Sequence, residues 1–231
     1  MPTPEIIAHR GVSRERLENT IPAFQRAIDL GADGVELDVH VTRDGTVVVH
    51  HDPVIRGASS DPALDGRPIC QLTTAEVASF RLADGGPVPT LLEVSALLRD
   101  RLTLYCELKG QGTAAASLDV LRLGGTRCAV HSFDHRLIAA AALIAPSVPR
   151  GVLEVSRHVD AASSLQSVGA RDLWQLIEFI DDELVHQVHA AGGRVMAWTA
   201  NDPPTVERLA VLGVDGFCGD DVVMLRRVLG R

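Results

Sequence analysis

Glu5-Ile6-Ile7-Ala8-His9, then Asn19-Thr20-Ile21-Pro22-Ala23-Phe24-Gln25-Arg26-Ala27-Ile28-Asp29-Leu30-Gly31, then Gly34-Val35-Glu36-Leu37-Asp38-Val39: these three runs decide the fold. The outer two are short, apolar and β-rich. In the middle run Asn19-Thr20 supplies a helix start and Pro22 stands in the first turn. Phe24, Ala27 and Ile28 recur at helical spacing, and Gly31 ends the run. A strand, a helix and a strand in this order build a parallel sheet covered by helices.

The same alternation continues outward. Strands are expected at Thr46–His51, Thr103–Glu107, Cys128–His131, Gly151–Val155, Asp172–Ile177, Val195–Trp198 and Gly216–Cys218. Helices are expected at Asp134–Ile144, Asp181–Ala191 and Pro204–Leu212, the last two stopped by Gly192 and Gly213. Thr73-x-x-Glu76 and Thr90-x-x-Glu93 are capping-box signatures that open two more. Repeats near eight in a chain of 231 residues close naturally into a (β/α)8 TIM barrel, an α/β fold of about 250 residues. An open doubly wound sheet would usually carry a phosphate loop, and Gly11 belongs to no such glycine pattern. Residues 52–89, rich in Pro, Gly, Ser and Asp, read as a small insertion over one end of the barrel. The whole of 1–231 is then one barrel domain.

Composition narrows the function. A net charge of -8 argues against a nucleic-acid partner, whose phosphates need a clustered basic face. Cys70, Cys106, Cys128 and Cys218 are scattered and form no CxxC pair, as expected of free thiols in a reducing compartment. The N-terminus has no basic and apolar leader pattern, and no apolar run approaches the roughly 20 residues of a membrane span. A soluble cytoplasmic protein is expected. The 22 basic side chains include a single lysine, Lys109.

Val35 to His51 alternates strictly on both sides of Asp44-Gly45, a pair preferred in two-residue hairpin turns. That turn predicts partners summing to 89, so that His40 faces Val49 and Asp38 faces His51. Glu36, Asp38 and His40 share one strand face, and Val35, Leu37, Val39 and Val41 the other. Glu36 and Asp38 then sit about 6–7 Å apart along the backbone. Their repulsion would be relieved by a divalent cation with oxygen ligands. Taken alone, the pair more often marks a solvated strand face, because Glu-x-Asp is a very common tripeptide.

His9-Arg10-Gly11 follows the first strand, Glu107-Leu108-Lys109 ends another, and Trp198 ends a late one. The C-terminal ends of barrel strands are where active sites form. That rim would collect two histidines, three carboxylates, Arg10, Lys109 and Trp198, the ingredients of metal-assisted phosphate chemistry.

At these residues the chain resembles the glycerophosphodiester phosphodiesterase family. The matching pieces run in order: His9-Arg10-Gly11, Glu18-Asn19-Thr20, Gly31 to Val39, Thr42-Arg43-Asp44-Gly45, His51-Asp52 and Pro89-Thr90-Leu91-x-Glu93. They continue through Glu107-Leu108-Lys109, Ser132-Phe133-Asp134, Trp198-Thr199 and Gly213-Val214-Asp215-Gly216. The resemblance implies a (β/α)8 barrel with a small insertion after the second-strand hairpin. It implies metal-dependent hydrolysis of glycerophosphodiesters to sn-glycerol 3-phosphate and an alcohol. By the same resemblance, His9 and His51 are the general acid/base pair. Glu36, Asp38 and Glu107 hold one divalent cation, Mg2+ or Ca2+. Arg10 and Lys109 bind phosphate, Trp198 walls the substrate site, and Glu18 is supporting. The family commonly ends its last strand with Thr-Asp, where this chain has Gly219-Asp220. Two other readings are a related phospholipase D-like barrel that releases cyclic phosphate from lysophospholipids, and a non-catalytic phosphate-binding barrel. Headgroup and oligomeric state are left open by the sequence.

Overall fold

Strands β1 (Glu5–His9) and β2 (Gly34–Val41) pair in parallel, with helix α1 (Ile21–Asp29) as the crossover. Thr20 caps α1 by accepting from the Ala23 N–H, and a proline occupies its first turn, as the spacing predicts. The structure is a computed structural model that describes residues 3–231. After β2 come β3 (Val47–Val49), β4 (Ala58–Ser59), α2 (Thr74–Val77), β5 (Phe80–Arg81) and α3 (Leu91–Leu98). Regular alternation then resumes: β6 (Thr103–Leu108), α4 (Thr113–Gly124), β7 (Cys128–Ser132), α5 (His135–Ile144), β8 (Arg150–Glu154) and α6 (Ser163–Val168). The chain ends with β9 (Asp172–Leu176), α7 (Asp182–Ala190), β10 (Arg194–Trp198), α8 (Pro203–Leu212), β11 (Gly216–Gly219) and α9 (Val222–Val228).

Because β1 pairs in parallel with both β2 and β11, the sheet closes on itself. Strands β1, β2, β6, β7, β8, β9, β10 and β11 form the eight staves of a (β/α)8 barrel. Alternation sorts their side chains. Val35, Leu37 and Val39 of β2 face outward and pack with Phe24 of α1 and Leu91, Val94 and Leu98 of α3. Ile7, Tyr105, Ala129, Leu153, Trp174, Met196 and Cys218 fill the interior. Tyr105 meets Trp174 edge-on, with centroids 5.2 Å apart. All four cysteines are free, and no helix among the described residues is long and apolar enough to cross a membrane.

The hairpin differs from expectation by one residue. Its pairs are Val39–Val49, His40–Val48 and Val41–Val47, which sum to 88, not 89. The connection is three residues, Arg43-Asp44-Gly45. Gly45 donates to the Thr42 carbonyl at 3.0 Å and adopts φ +91°, which glycine tolerates. Thr42 secures this longer turn, donating from Oγ1 to Asp44 and accepting there from the Thr46 N–H. Asp38 therefore lies opposite His50, whose N–H donates to the Asp38 carbonyl at 3.0 Å. His51 falls beyond the strand, in a loop. Strand β3 is also shorter than expected, and the Val49 N–H is taken by the Pro89 carbonyl.

Residues 52–89 form a layer with its own apolar cluster: Ile55, Leu64, Ile69, Leu72, Val77, Phe80, Leu82 and Val88, joined by Val48 of β3. Both expected capping boxes are made, at Thr73/Glu76 and Thr90/Glu93. Helices α4, α6 and α9 were not expected. Asp221 caps α9 by accepting from the Met224 N–H. Gly112 and Ala162 open α4 and α6 without any capping side chain, so the usual start signal is missing there.

The closed end of the barrel is floored by charge. Asp172, fully buried, accepts from Arg171 at 2.8 and 2.7 Å and from Arg194 at 2.9 Å. Arg194 also donates to Glu5 at 2.7 Å, and Tyr105 donates to Glu5 at 2.5 Å. Asp172→Ala should cost about 2 kcal/mol in urea unfolding. That is less than the loss typical of a fully buried pair, because both arginines keep access to water. An unchanged midpoint would show that this floor contributes nothing to stability.

Candidate active site

Parallel register builds the site at the open end. His9 lies beside Glu36, Asp38 beside Glu107, and Glu107 beside His131 on adjacent strands. Since β2 turns Glu36 and Asp38 inward and β6 does the same with Glu107, three carboxylates converge in the barrel mouth, each less than a tenth exposed. Lys109, just past β6, reaches back to place Nζ 2.7 Å from Glu107 Oε1 and 3.1 Å from Asp38 Oδ1. Arg10 places Nε 3.1 Å from Asp38 Oδ2 and donates through Nη1 to both oxygens of Glu18. Its backbone N–H donates to Glu36 at 3.2 Å.

The β1–α1 loop holds these groups with unusual backbone geometry. Arg10 and Asn19 have φ of +55° and +57°, uncommon for residues with a Cβ, and are tied by a hydrogen bond from the Asn19 N–H to the Arg10 carbonyl. Asn19, buried, donates its amide to Asp38 Oδ2 at 2.9 Å. Burial works to raise the Asp38 pKa, but Lys109, Arg10 and Asn19 hold it well below the usual carboxylate range. Glu107 shifts the other way: burial and then the Asp38 charge raise it, against the pull of Lys109. Lys109 itself stays cationic, since Asp38 and Glu107 outweigh the burial that would lower it.

Each expected catalytic histidine has a carboxylate on Nδ1. His9 donates to Asp220 Oδ1 at 2.7 Å, and His51 donates to Asp52 Oδ1 at 2.7 Å. A carboxylate only accepts, so Nδ1 carries the proton and Nε2 is left toward the cavity. His9 Nε2 lies 4.0 Å from Glu36. Burial tends to lower His9, but the Asp220 hydrogen bond and the Glu36 charge raise it above its ordinary value. Asp220, also bonded by Asn201 and Ser13, is held at about 2 despite its own burial. Gly219 precedes it where the family commonly has threonine. A Cβ there would come 2.5 Å from the Ala200 carbonyl oxygen, so this backbone admits only glycine.

Two adjoining hollows meet at Arg10 and His51. The smaller, about 260 Å³, is walled by His9, Glu36, Glu107, Lys109, His131, Phe133 and Trp198. Trp198 packs edge-on to Phe133 at 5.5 Å and keeps its buried Nε1–H without a partner. The larger, about 730 Å³, runs between the β1–α1 loop and the insertion, past Arg16, Leu17, Arg56, Leu82 and Asp84.

All eight expected site residues thus meet at one rim. For metal binding the convergence is partial: atoms of Glu36, Glu107 and His131 all lie within 4.8 Å of one another. Asp38 stands apart from that trio, turned to Asn19, Arg10 and Lys109. The donor set fits a divalent cation. Glu18, Glu36, Asp38 and Glu107 outnumber Arg10 and Lys109 by two formal charges, and buried Asp38 Oδ1, though close to Lys109, receives no well-directed hydrogen bond. Sequence reasoning missed Asp220, Asp52, Asn19 and His131 as site residues. Asn19 and Asp52 were visible inside matching pieces and Asp220 in the Gly219-Asp220 departure, whereas His131 arrives only through the fold.

A profile of the glycerophosphoryl diester phosphodiesterase family matches residues 9–224. The chain belongs to this family. A glycerophosphodiester phosphodiesterase of Caldanaerobacter subterraneus subsp. tengcongensis is 30% identical over 94% of this chain and 93% of its own length. Among solved structures, an Oleispira antarctica phosphodiesterase in complex with the product sn-glycerol-3-phosphate superposes with a TM-score of 0.89. It is 27% identical, and the match covers 99% of this chain and 98% of that one. A Silicibacter pomeroyi putative family member gives a TM-score of 0.89 at 25% identity, over 99% of this chain and 94% of that one.

The His9–Asp220 pair makes a measurable claim. In Asp220→Asn the NMR titration midpoint of His9 should fall, because a neutral amide supports the imidazolium less well. The stability contributed by the raised His9 is complete below its ordinary pKa of about 6.5 and fades as pH rises through the raised midpoint. Asp220 adds stability above about pH 3.8 that fades as pH falls toward 2. A His9 midpoint indifferent to Asp220→Asn would mean the contact does not hold in solution.

Proposed function

We propose that this chain hydrolyses glycerophosphodiesters to sn-glycerol 3-phosphate and an alcohol, with His9 and His51 as the acid/base pair. The observation that carries this is the pair of carboxylate-backed histidines set around two hollows that meet at His51. His9 faces only the smaller hollow, where Trp198 and Phe133 make a wall suited to a glycerol backbone. His51 also opens on the larger, which has room for a headgroup. Glycerol phosphate is therefore assigned to the smaller hollow and the leaving alcohol to the larger.

In that pose His9 Nε2 removes the proton of the attacking hydroxyl, water's or the glycerol's own; attack by the glycerol hydroxyl leaves a cyclic phosphate that water then opens to glycerol 3-phosphate. His51 donates a proton to the departing alkoxide. Such a pair contributes typically 10²–10⁴-fold each. Asp220 and Asp52 hold the rings in one tautomer and stabilise the imidazolium forms. Arg10 and Lys109 bind the nonbridging phosphate oxygens, and the free Trp198 N–H is a further donor. Glu36, Asp38 and Glu107 would hold one divalent cation, Mg2+ or Ca2+, which when bound supplies Lewis-acid stabilisation of phosphoryl charge.

Released glycerol 3-phosphate, followed with glycerophosphocholine, tests the activity directly. His51→Ala should lose about 10²–10⁴-fold on that substrate. It should lose far less on a 4-nitrophenyl glycerophosphodiester, whose leaving group departs unprotonated. His9→Ala should fail on both. Equal losses on the two substrates in both variants would overturn the division of roles. EDTA should abolish turnover, and added Mg2+ or Ca2+ should restore it; hydrolysis that survives exhaustive chelation would refute the cation.

A further inference from the structure

His131 has no role in the scheme above, yet it occupies the centre of the site. It sits on β7 directly beside Glu107 of β6, and its side chain is fully buried in the wall of the smaller hollow. Neither ring nitrogen is satisfied in the usual way. Nε2 points at Glu36 Oε1 from 3.7 Å, longer than a hydrogen bond, and Nδ1 is buried without a partner. A buried imidazole left unpaired is costly, and such exceptions call for a physical reason. Its orientation is set instead by Trp174, on which the ring lies nearly flat, with centroids 4.3 Å apart and planes 11° from parallel.

The reason lies in what Nε2 faces. One atom from each of Glu36, Glu107 and His131 falls within 4.8 Å of the others, a separation that one small cation spans. We propose that His131 is a nitrogen ligand of the cation held by the acidic cluster, so that the site favours Mn2+ over the oxygen-seeking Ca2+. This rests on the cation site proposed above. Imidazole suits transition metals, whereas Ca2+ takes oxygen ligands almost exclusively. One His at this position therefore tilts a carboxylate site away from calcium, and the stacked indole holds the ring ready for the ion.

The test uses the whole enzyme with Mn2+ alone as probe. Pulsed EPR of the Mn2+ complex should show nitrogen modulation that changes frequency when histidine is labelled with 15N. His131→Gln should abolish it, and by calorimetry should lower the Mn2+ to Ca2+ affinity ratio about tenfold or more. If His131→Gln does not fold, the His9→Gln/His51→Gln double variant decides, since these are the other two histidines of the smaller hollow. Modulation retained there supports His131. Modulation lost there, or surviving in His131→Gln, assigns the nitrogen elsewhere and overturns the inference. Mn2+ bound without nitrogen modulation overturns it while the cation site stands. No binding of Mn2+, Mg2+ or Ca2+ brings down the cation site and the inference together.

Discussion

Crowding of negative charge in the barrel mouth is the constraint around which the rest of the molecule is arranged. Glu36, Asp38 and Glu107 are all buried and turned into the barrel mouth from two adjacent strands. At an effective dielectric of about 20, a like-charge pair 4 Å apart repels by about 4 kcal/mol. Lys109 and Arg10 answer part of that charge, each reaching Asp38 at 3.1 Å. They leave a negative surplus aimed at open space. A phosphodiester cannot approach such a surface unaided, so the site that attracts a cation is also the one that needs it.

The lone lysine takes on a physical meaning here. Its ammonium is a compact point charge that fits between Asp38 and Glu107, whereas a planar guanidinium presents a fixed fork. Arg10 plays the complementary part. Its fork spans Glu18 and Asp38 at once while its backbone N–H serves Glu36. The left-handed conformations of Arg10 and Asn19 are what let one short loop deliver both side chains to the same carboxylate.

Chain-terminal pieces complete the centre. Asp220 lies 211 residues from His9 in sequence, and only closure of β11 against β1 brings the two to 2.7 Å. Glycine stands before Asp220 where the family commonly has threonine, and the segment just past β10 crowds it. The Ala200 carbonyl presses so close to Gly219 that no Cβ fits, while the neighbouring Asn201 braces Asp220 with both ends of its amide.

The barrel was legible in the chain because strand and helix periods alternate cleanly and most helices carry side-chain caps. Gly112 and Ala162 show the limit, since a helix that starts without a capping side chain announces nothing. The candidate site residues were legible through their family pieces: His9 and Glu107 at strand ends, Glu36 and Asp38 on the inward face of β2, and His51 just past β3. The hairpin was misread by one residue: Asp44-Gly45 suits a two-residue turn locally, but Thr42 ties a three-residue one. His131 was invisible, since a histidine in an apolar strand looks like a core residue until the neighbouring strand is placed. By itself, then, the sequence determined the order of elements and which faces carry charge, for these follow from local periodicity. Tertiary structure alone decided which charges meet. Parallel register and barrel closure set distances between residues far apart in the chain, and electrostatics depends on distance.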